Sequence, residues 1–234
     1  MAKKKRVTRK QLLKEPDEFL TFSAKAIQFA AYNRRSISFA LVGLVIACLA
    51  FGVFKYFSNL SERRAYSVFE QGLVHYLAQA SVGKSPHFQQ MAIEKFEEVL
   101  KRYPSTSAGE LSLLLRANMS YDEGSYDKAI ELYQKALGAF SEEGVLRKLV
   151  WNNLGYAYEG KKDYSAAAQC FEKITEPEGE FMKADAYFNL ARMHEAMGNR
   201  QKAIEAYNKV ADDYPGSVNF QICKEKVLRL KGQR

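Results

Sequence analysis

The chain has 234 residues, 47% hydrophobic and 26% charged, with 35 Lys and Arg against 27 Asp and Glu for a formal net charge of +8. Those fractions exclude a chain disordered throughout and leave room for one moderate domain with an appendage. Residues 1–35 hold ten Lys or Arg against Glu15, Asp17 and Glu18, so the body that follows is nearly neutral, which argues against a nucleic-acid-binding domain, because phosphate contact needs clustered cations on the folded surface.

The opening decamer MAKKKRVTRK carries Lys3, Lys4, Lys5, Arg6, Arg9 and Lys10. Alone it fits a nuclear-import signal, a nucleic-acid arm or the cytoplasmic flank of a membrane segment. Beyond it, Phe19, Phe22, Ala26 and Phe29 recur at helical spacing after Pro16, widened by Leu20 and Ile27. This predicts a helix over 17–33, lying in the membrane interface, packing on a partner, or left unstructured.

From Ser36 to Phe54, SISFALVGLVIACLAFGVF runs nineteen residues without a charge, about 28 Å of helix and close to the hydrocarbon thickness of a bilayer. Arg34, Arg35 and Lys55 bound it, with Tyr32, Tyr56 and Phe57 at its edges. The expectation is one transmembrane helix over 36–57. No A-x-A site follows, against a cleaved signal peptide, and Cys48 in VIAC lies mid-span, against a lipoprotein box. Cations near a span resist translocation, and the N-terminal side has more of them. The tail is therefore expected in the cytoplasm and residues 58–234 on the far side, in a bacterium the periplasm. Ala40, Gly43 and Ala47, with Ala50, form a small-residue stripe suited to helix packing.

The remainder repeats itself. KFEEVLKRYP (Lys95 to Pro104) returns as AYNKVADDYP (Ala206 to Pro215), 111 residues on, and YDKAIELYQKAL and YSAAAQCFEKI fall between them. Ala92, Ala129, Ala167 and Ala203 share one register. In the third copy Trp151, Leu154, Gly155 and Tyr158 line one helix and Ala167, Phe171 and Ile174 the next. Gly155 and Ala167 are read as the point where the two helices cross. Leu190, Ala191, Ala203 and Tyr207 hold the matching places in the fourth. The fold class is all-α: about four helix pairs, near 65–104, 110–143, 148–181 and 184–217, then a capping helix over 218–232 with Phe220, Cys223, Val227 and Leu230 inward and a polar outer face. Arg116 stands where leucine is expected, and about eight extra residues near SVGKSPHF delay the second helix of the first pair.

No catalytic constellation is present. His194-Glu195 lacks a second histidine four residues on, there is no P-loop, GxGxxG or GxSxG, and Cys48, Cys170 and Cys223 are too scattered for a disulfide or zinc framework. No enzyme activity, metal or cofactor is expected.

The pattern W-x2-L-G-x2-Y, A-x3-F, P resembles the tetratricopeptide repeat (TPR). The resemblance implies a concave groove lined by the first helix of each pair that binds peptides or partner proteins, including here Leu114, Asn118, Tyr121, Asn152, Asn153, Tyr156, Glu159, Phe188, Arg192 and Glu195. TPR domains that clamp chaperone C-termini use three cations and two asparagines. Asn118 and Asn153 match, but Leu114, Asp185 and Asn189 replace the cations, which speaks against that subtype. Tail, span and translocated TPR domain together resemble the ancillary subunit family of the bacterial Sec translocon, the YfgM-like proteins. This implies an adaptor for clients, chaperones or translocon subunits, in contact with membrane lipids and not nucleic acid. The alternative is a structural subunit of a larger membrane complex docked through its span.

Overall fold

The computed structural model describes residues 18–82, 85–141, 144–176 and 180–232. The basic decamer, Pro16 and Pro177 lie outside them. The chain divides into a unit ending at Asn59 and a second beginning at Leu60.

In the first unit, helix α1 (Glu18–Tyr32) and the start of α2 (Arg34–Val82) are separated by a turn at Asn33. Asn33 N–H still bonds Phe29 O at 2.9 Å. Every described side chain from Phe39 to Asn59 is exposed, including Leu44, Val45, Ile46, Leu49 and Phe54. An apolar surface left uncovered by protein along a helix this long fits a lipid solvent, and α2 is long and apolar enough to cross a membrane. The sequence suggests a span ending near Phe57, and α2 continues beyond it as one helix to Val82, since no proline or glycine interrupts KYFSNLSERRAYSVF.

In the second unit the end of α2 is followed by α3 (Pro86–Arg102), α4 (Ser107–Asp122), α5 (Tyr126–Ala139), α6 (Val145–Gly160), α7 (Tyr164–Thr175), α8 (Lys183–Ala196), α9 (Arg200–Asp213) and α10 (Phe220–Gly232). Helices from α3 onward pack on their sequence neighbours, and α4 also meets α6, as in a one-dimensional solenoid. The core runs in three linked clusters, centred on Phe96, Tyr133 and on Phe171 with Tyr207. The aligned alanines Ala92, Ala129, Ala167 and Ala203 are all fully buried.

Short local devices set the helix ends. Pro86 begins α3 without needing its missing N–H, and the Thr106 hydroxyl accepts from Gly109 N–H at 3.1 Å to start α4. The turns after α4, α6 and α8 repeat one geometry: Ser125, Asp163 and Asn199 N–H reach back to Ser120, Tyr158 and His194 O at 2.8–2.9 Å. A residue with positive φ precedes each, and it is Gly124, Lys162 and Gly198 in turn. Arg147 donates to Leu137 O and Phe140 O beyond the end of α5.

Two packing details differ from the sequence reading. A Cβ at Gly155 would fall 2.7 Å from Phe171 Cζ, so the glycine makes room for that ring rather than for Ala167. Gly72 stands in the same relation to Phe96, separated by 24 positions where Gly155 and Phe171 are separated by 16. Relative to the third pair, both helices of the first pair are longer, by five residues between Gly72 and Val82 and by three between Pro86 and Phe96. Arg116 does not disturb α4. It is buried, with Nε 3.3 Å from Glu97 Oε1 and Nη1 donating to Ser120 Oγ at 3.0 Å.

At the end of the solenoid Cys223, Val227 and Leu230 are buried as expected, whereas Phe220 is only half-buried, with Lys224 Nζ 5.2 Å above its ring. The outer face of α10 is less polar than expected and exposes Ile222 and Leu228.

Candidate functional site

The first helices of successive pairs, α4, α6 and α8, carry a line of amides and phenols. The Tyr133 hydroxyl donates to Asn118 Oδ1 at 2.7 Å, and Asn153 Nδ2 donates to the same oxygen at 3.0 Å. Asn152 Nδ2 donates to Asn153 Oδ1 at 3.2 Å. One helix further on, Asn189 Nδ2 donates to the Tyr156 hydroxyl at 2.9 Å and Arg192 Nη1 to Asn189 Oδ1 at 3.0 Å. Two of these bonds, Asn153 to Asn118 and Asn189 to Tyr156, bridge neighbouring helix pairs, so the spacing of the pairs helps to fix those side chains.

Asn118, Tyr121, Asn153 and Tyr156 come together around one cavity of about 250 Å³, joined by Tyr76, Asp122 and Tyr133. Burial pushes the hydroxyls of Tyr76, Tyr121 and Tyr133 above the ordinary tyrosine range, and the Asp122 carboxylate adds to the rise in each.

Arg192 lies apart from this cavity, ion-paired to Glu159 and stacked 6.0 Å over Phe188. It lines a second, shallower cavity of about 310 Å³ with Glu159, Glu195 and Lys226. Glu195 accepts from Tyr207 Oη at 2.9 Å and Lys226 Nζ at 3.0 Å and pairs with Arg229. Burial would raise its carboxyl, but the bonds from Lys226 and Tyr207 outweigh that and hold it below the ordinary glutamate value. Phe188 rests on Tyr207, while Leu114, at 4% exposure, and Asn152, at 8%, face the interior.

Residues 110–176 match one tetratricopeptide repeat family model and residues 185–217 another. The helical pairs over these residues match tetratricopeptide repeats. Among solved structures, the MamA protein superposes with a TM-score of 0.55 at 23% identity over 71% of this chain and 84% of that one. A tetratricopeptide repeat protein from Parabacteroides merdae gives 0.58 at 13% identity over 71% and 61%. Tetratricopeptide repeat protein 12 of Mus musculus is 29% identical over 103 residues, 43% of this chain. The chain spans only 13% of the length of that relative, so the likeness concerns repeats and not whole proteins.

TPR register explains why the packing residues are small or aromatic where they are. Leu154, Ala167, Phe171, Leu190, Ala191, Ala203 and Tyr207 are all buried, and Trp151 is half-buried between clusters. At the clamp positions, Leu114 is buried, Asp185 accepts from Asn219 Nδ2 at 2.9 Å and Asn189 is tied to Tyr156, so no cation stands there. Sequence reading missed Tyr76, Asp122 and Tyr133. Tyr76 ends the FEQGLVHY stretch, and aligning Gly72 with Gly155 puts it in register with Glu159, a position already counted as groove. The thiols of Cys170 and Cys223 are pushed by burial to about 12 and about 11, as suits packed hydrophobes.

Proposed function

We propose that this chain is a non-catalytic, membrane-anchored TPR adaptor that holds an extended segment of a partner protein in the groove of α4, α6 and α8. TPR domains are protein-interaction scaffolds, and the cavity shared by Asn118, Tyr121, Asn153 and Tyr156 is the observation that carries the reading. Its amides are fixed by bonds between pairs, so they meet a partner without first being ordered. In this reading residues 1–35 form a cytoplasmic tail, 36–57 the span and 58–234 the repeat domain on the far side of a bacterial inner membrane. The basic tail then contacts anionic lipid headgroups, at about 1 kcal/mol per cation. Likeness in layout to the ancillary subunits of the Sec translocon suggests clients, chaperones or translocon subunits as partners.

The test has two arms. A reporter fused after Arg234 should be active outside the cytoplasm, and activity only inside would overturn the orientation. Photocrosslinkers placed at Tyr121 and Tyr156 should capture protein partners that one at Lys128, on α5, does not.

A second reading, a structural subunit docked through its span, rests on the small residues Ala40, Gly43 and Ala47 that recur along the exposed part of α2. Gly43→Leu with Ala47→Leu should then dissociate a larger complex, whereas an adaptor using the groove alone should be unaffected.

A further inference from the structure

We propose that the cavity bordered by Tyr76, Tyr121, Tyr156 and Asp122 receives a cationic side chain, lysine or arginine, from the partner segment. This rests on the groove reading above and adds the chemistry of what the groove selects.

Four observations converge. First, charge along the groove is unevenly satisfied. Arg192 is taken by Glu159, and Lys226 and Arg229 by Glu195, whereas Asp122 is exposed and has no ion pair among the described residues. Second, Asp122 is the last residue of α4, where the helix dipole disfavours a carboxylate, so its placement has no local electrostatic reason. Third, the amide acceptors are spent. Asn118 Oδ1 takes two donors and Asn153 Oδ1 one, and the Tyr133 and Tyr156 hydroxyls are bonded to Asn118 and Asn189, whereas the Asp122 carboxylate accepts from no side chain among the described residues. Fourth, the walls are aromatic and, among the described residues, no cation lines the cavity. Tyrosine rings with one carboxylate attract an ammonium or guanidinium and repel an acidic chain end. Burial is the main cause that raises the hydroxyls of Tyr76, Tyr121 and Tyr133, and the Asp122 charge adds to it in each.

The site is thus opposite in sign to a carboxylate clamp, which the missing cations at Leu114, Asp185 and Asn189 already spoke against in the sequence. An Arg or Lys head would sit against Asp122, its stem on Tyr121 and Tyr156, and the peptide backbone beside Asn118.

The test is selection from a randomised nonapeptide library displayed on phage, against the full chain in nanodiscs of neutral phosphatidylcholine after depletion on empty discs. Recovered peptides should be enriched in Lys or Arg at one register. Asp122→Asn should erase that enrichment without lowering the melting temperature, since its side chain is exposed and has no ion pair or hydrogen bond among the described residues. Replacing the basic residue of a selected peptide by citrulline or norleucine should weaken binding about tenfold. Recovered peptides with no basic preference, or with an acidic one, would overturn this inference and leave the groove reading standing. Recovery no better than from empty discs would overturn both.

Discussion

Arg116 Nε on α4 lies 3.3 Å from Glu97 Oε1 on α3, and the arginine side chain is 5% exposed while the glutamate is 55% exposed. A buried guanidinium whose carboxylate partner is partly in water depends on that partner more than the partner depends on it. Glu97→Ala is expected to lower stability by about 1 kcal/mol, whereas Arg116→Leu, which restores the repeat pattern, should stay within about 1 kcal/mol of the parent. Chemical denaturation of the two variants in the same detergent checks this. Equal losses would show that the pair is not what holds Arg116.

Gly155 is set by the Phe171 ring. Adding a methyl there brings it to 2.7 Å from Cζ of a fully buried ring. Gly155→Ala is therefore expected to cost about 1–3 kcal/mol, part of it recovered with Phe171→Leu in the same chain. Gly43→Ala, with open space around it, should leave the melting of the repeat domain unchanged.

Lys162 occupies, with φ 63°, the turn position that Gly124 and Gly198 hold in the neighbouring pairs. A left-handed conformation costs an ordinary residue about 1–2 kcal/mol, part of which glycine returns through its freer unfolded chain. Lys162→Gly should raise stability by about 0.5–1 kcal/mol, read as a higher melting temperature. A lower one would mean that the lysine side chain makes a compensating contact.

His194 is buried, and its Nδ1 has no hydrogen-bond partner. Burial, with the charge of Lys202 adding and those of Glu172 and Glu205 opposing, lowers its pKa below the usual 6.5. The unfolded chain therefore takes up the proton first. Its contribution to stability is full above about pH 6.5 and is lost as pH falls toward the lower folded value. Glu195, also held low, acts only at more acid pH, below the ordinary glutamate range. Unfolding midpoints between pH 7.5 and 5 should fall in the parent and stay flatter in His194→Gln. Parallel slopes would remove His194 as the cause.

The periodicity of the chain made most of this fold legible. Helix pairing follows from apolar residues three and four apart, and the aligned alanines follow from the need of helices to approach closely, so Ala92 through Ala203 could be placed without coordinates. Arg116 could not, because a one-residue exception to a pattern says nothing about Glu97, nineteen residues earlier and on another helix. Of the ten residues expected along the groove, the structure gathers four around one cavity. Asn118, Tyr121, Asn153 and Tyr156 share a cavity, whereas Leu114 and Asn152, on the same helices, turn inward because each helix crosses its neighbours at an angle that a linear register does not carry.

By itself the sequence determined the all-helical repeat, its four-pair length, an apolar stretch able to span a bilayer and the uneven placement of charge, since each depends on local spacing or composition. Only the tertiary structure decided which carboxylates are cancelled. Arg192, Lys226 and Arg229 reach acids more than thirty residues away, and none reaches Asp122. Asn118 and Asn153, which hold two clamp positions in a sequence that lacks the clamp's cations, thereby sit, once folded, beside an unpaired negative charge.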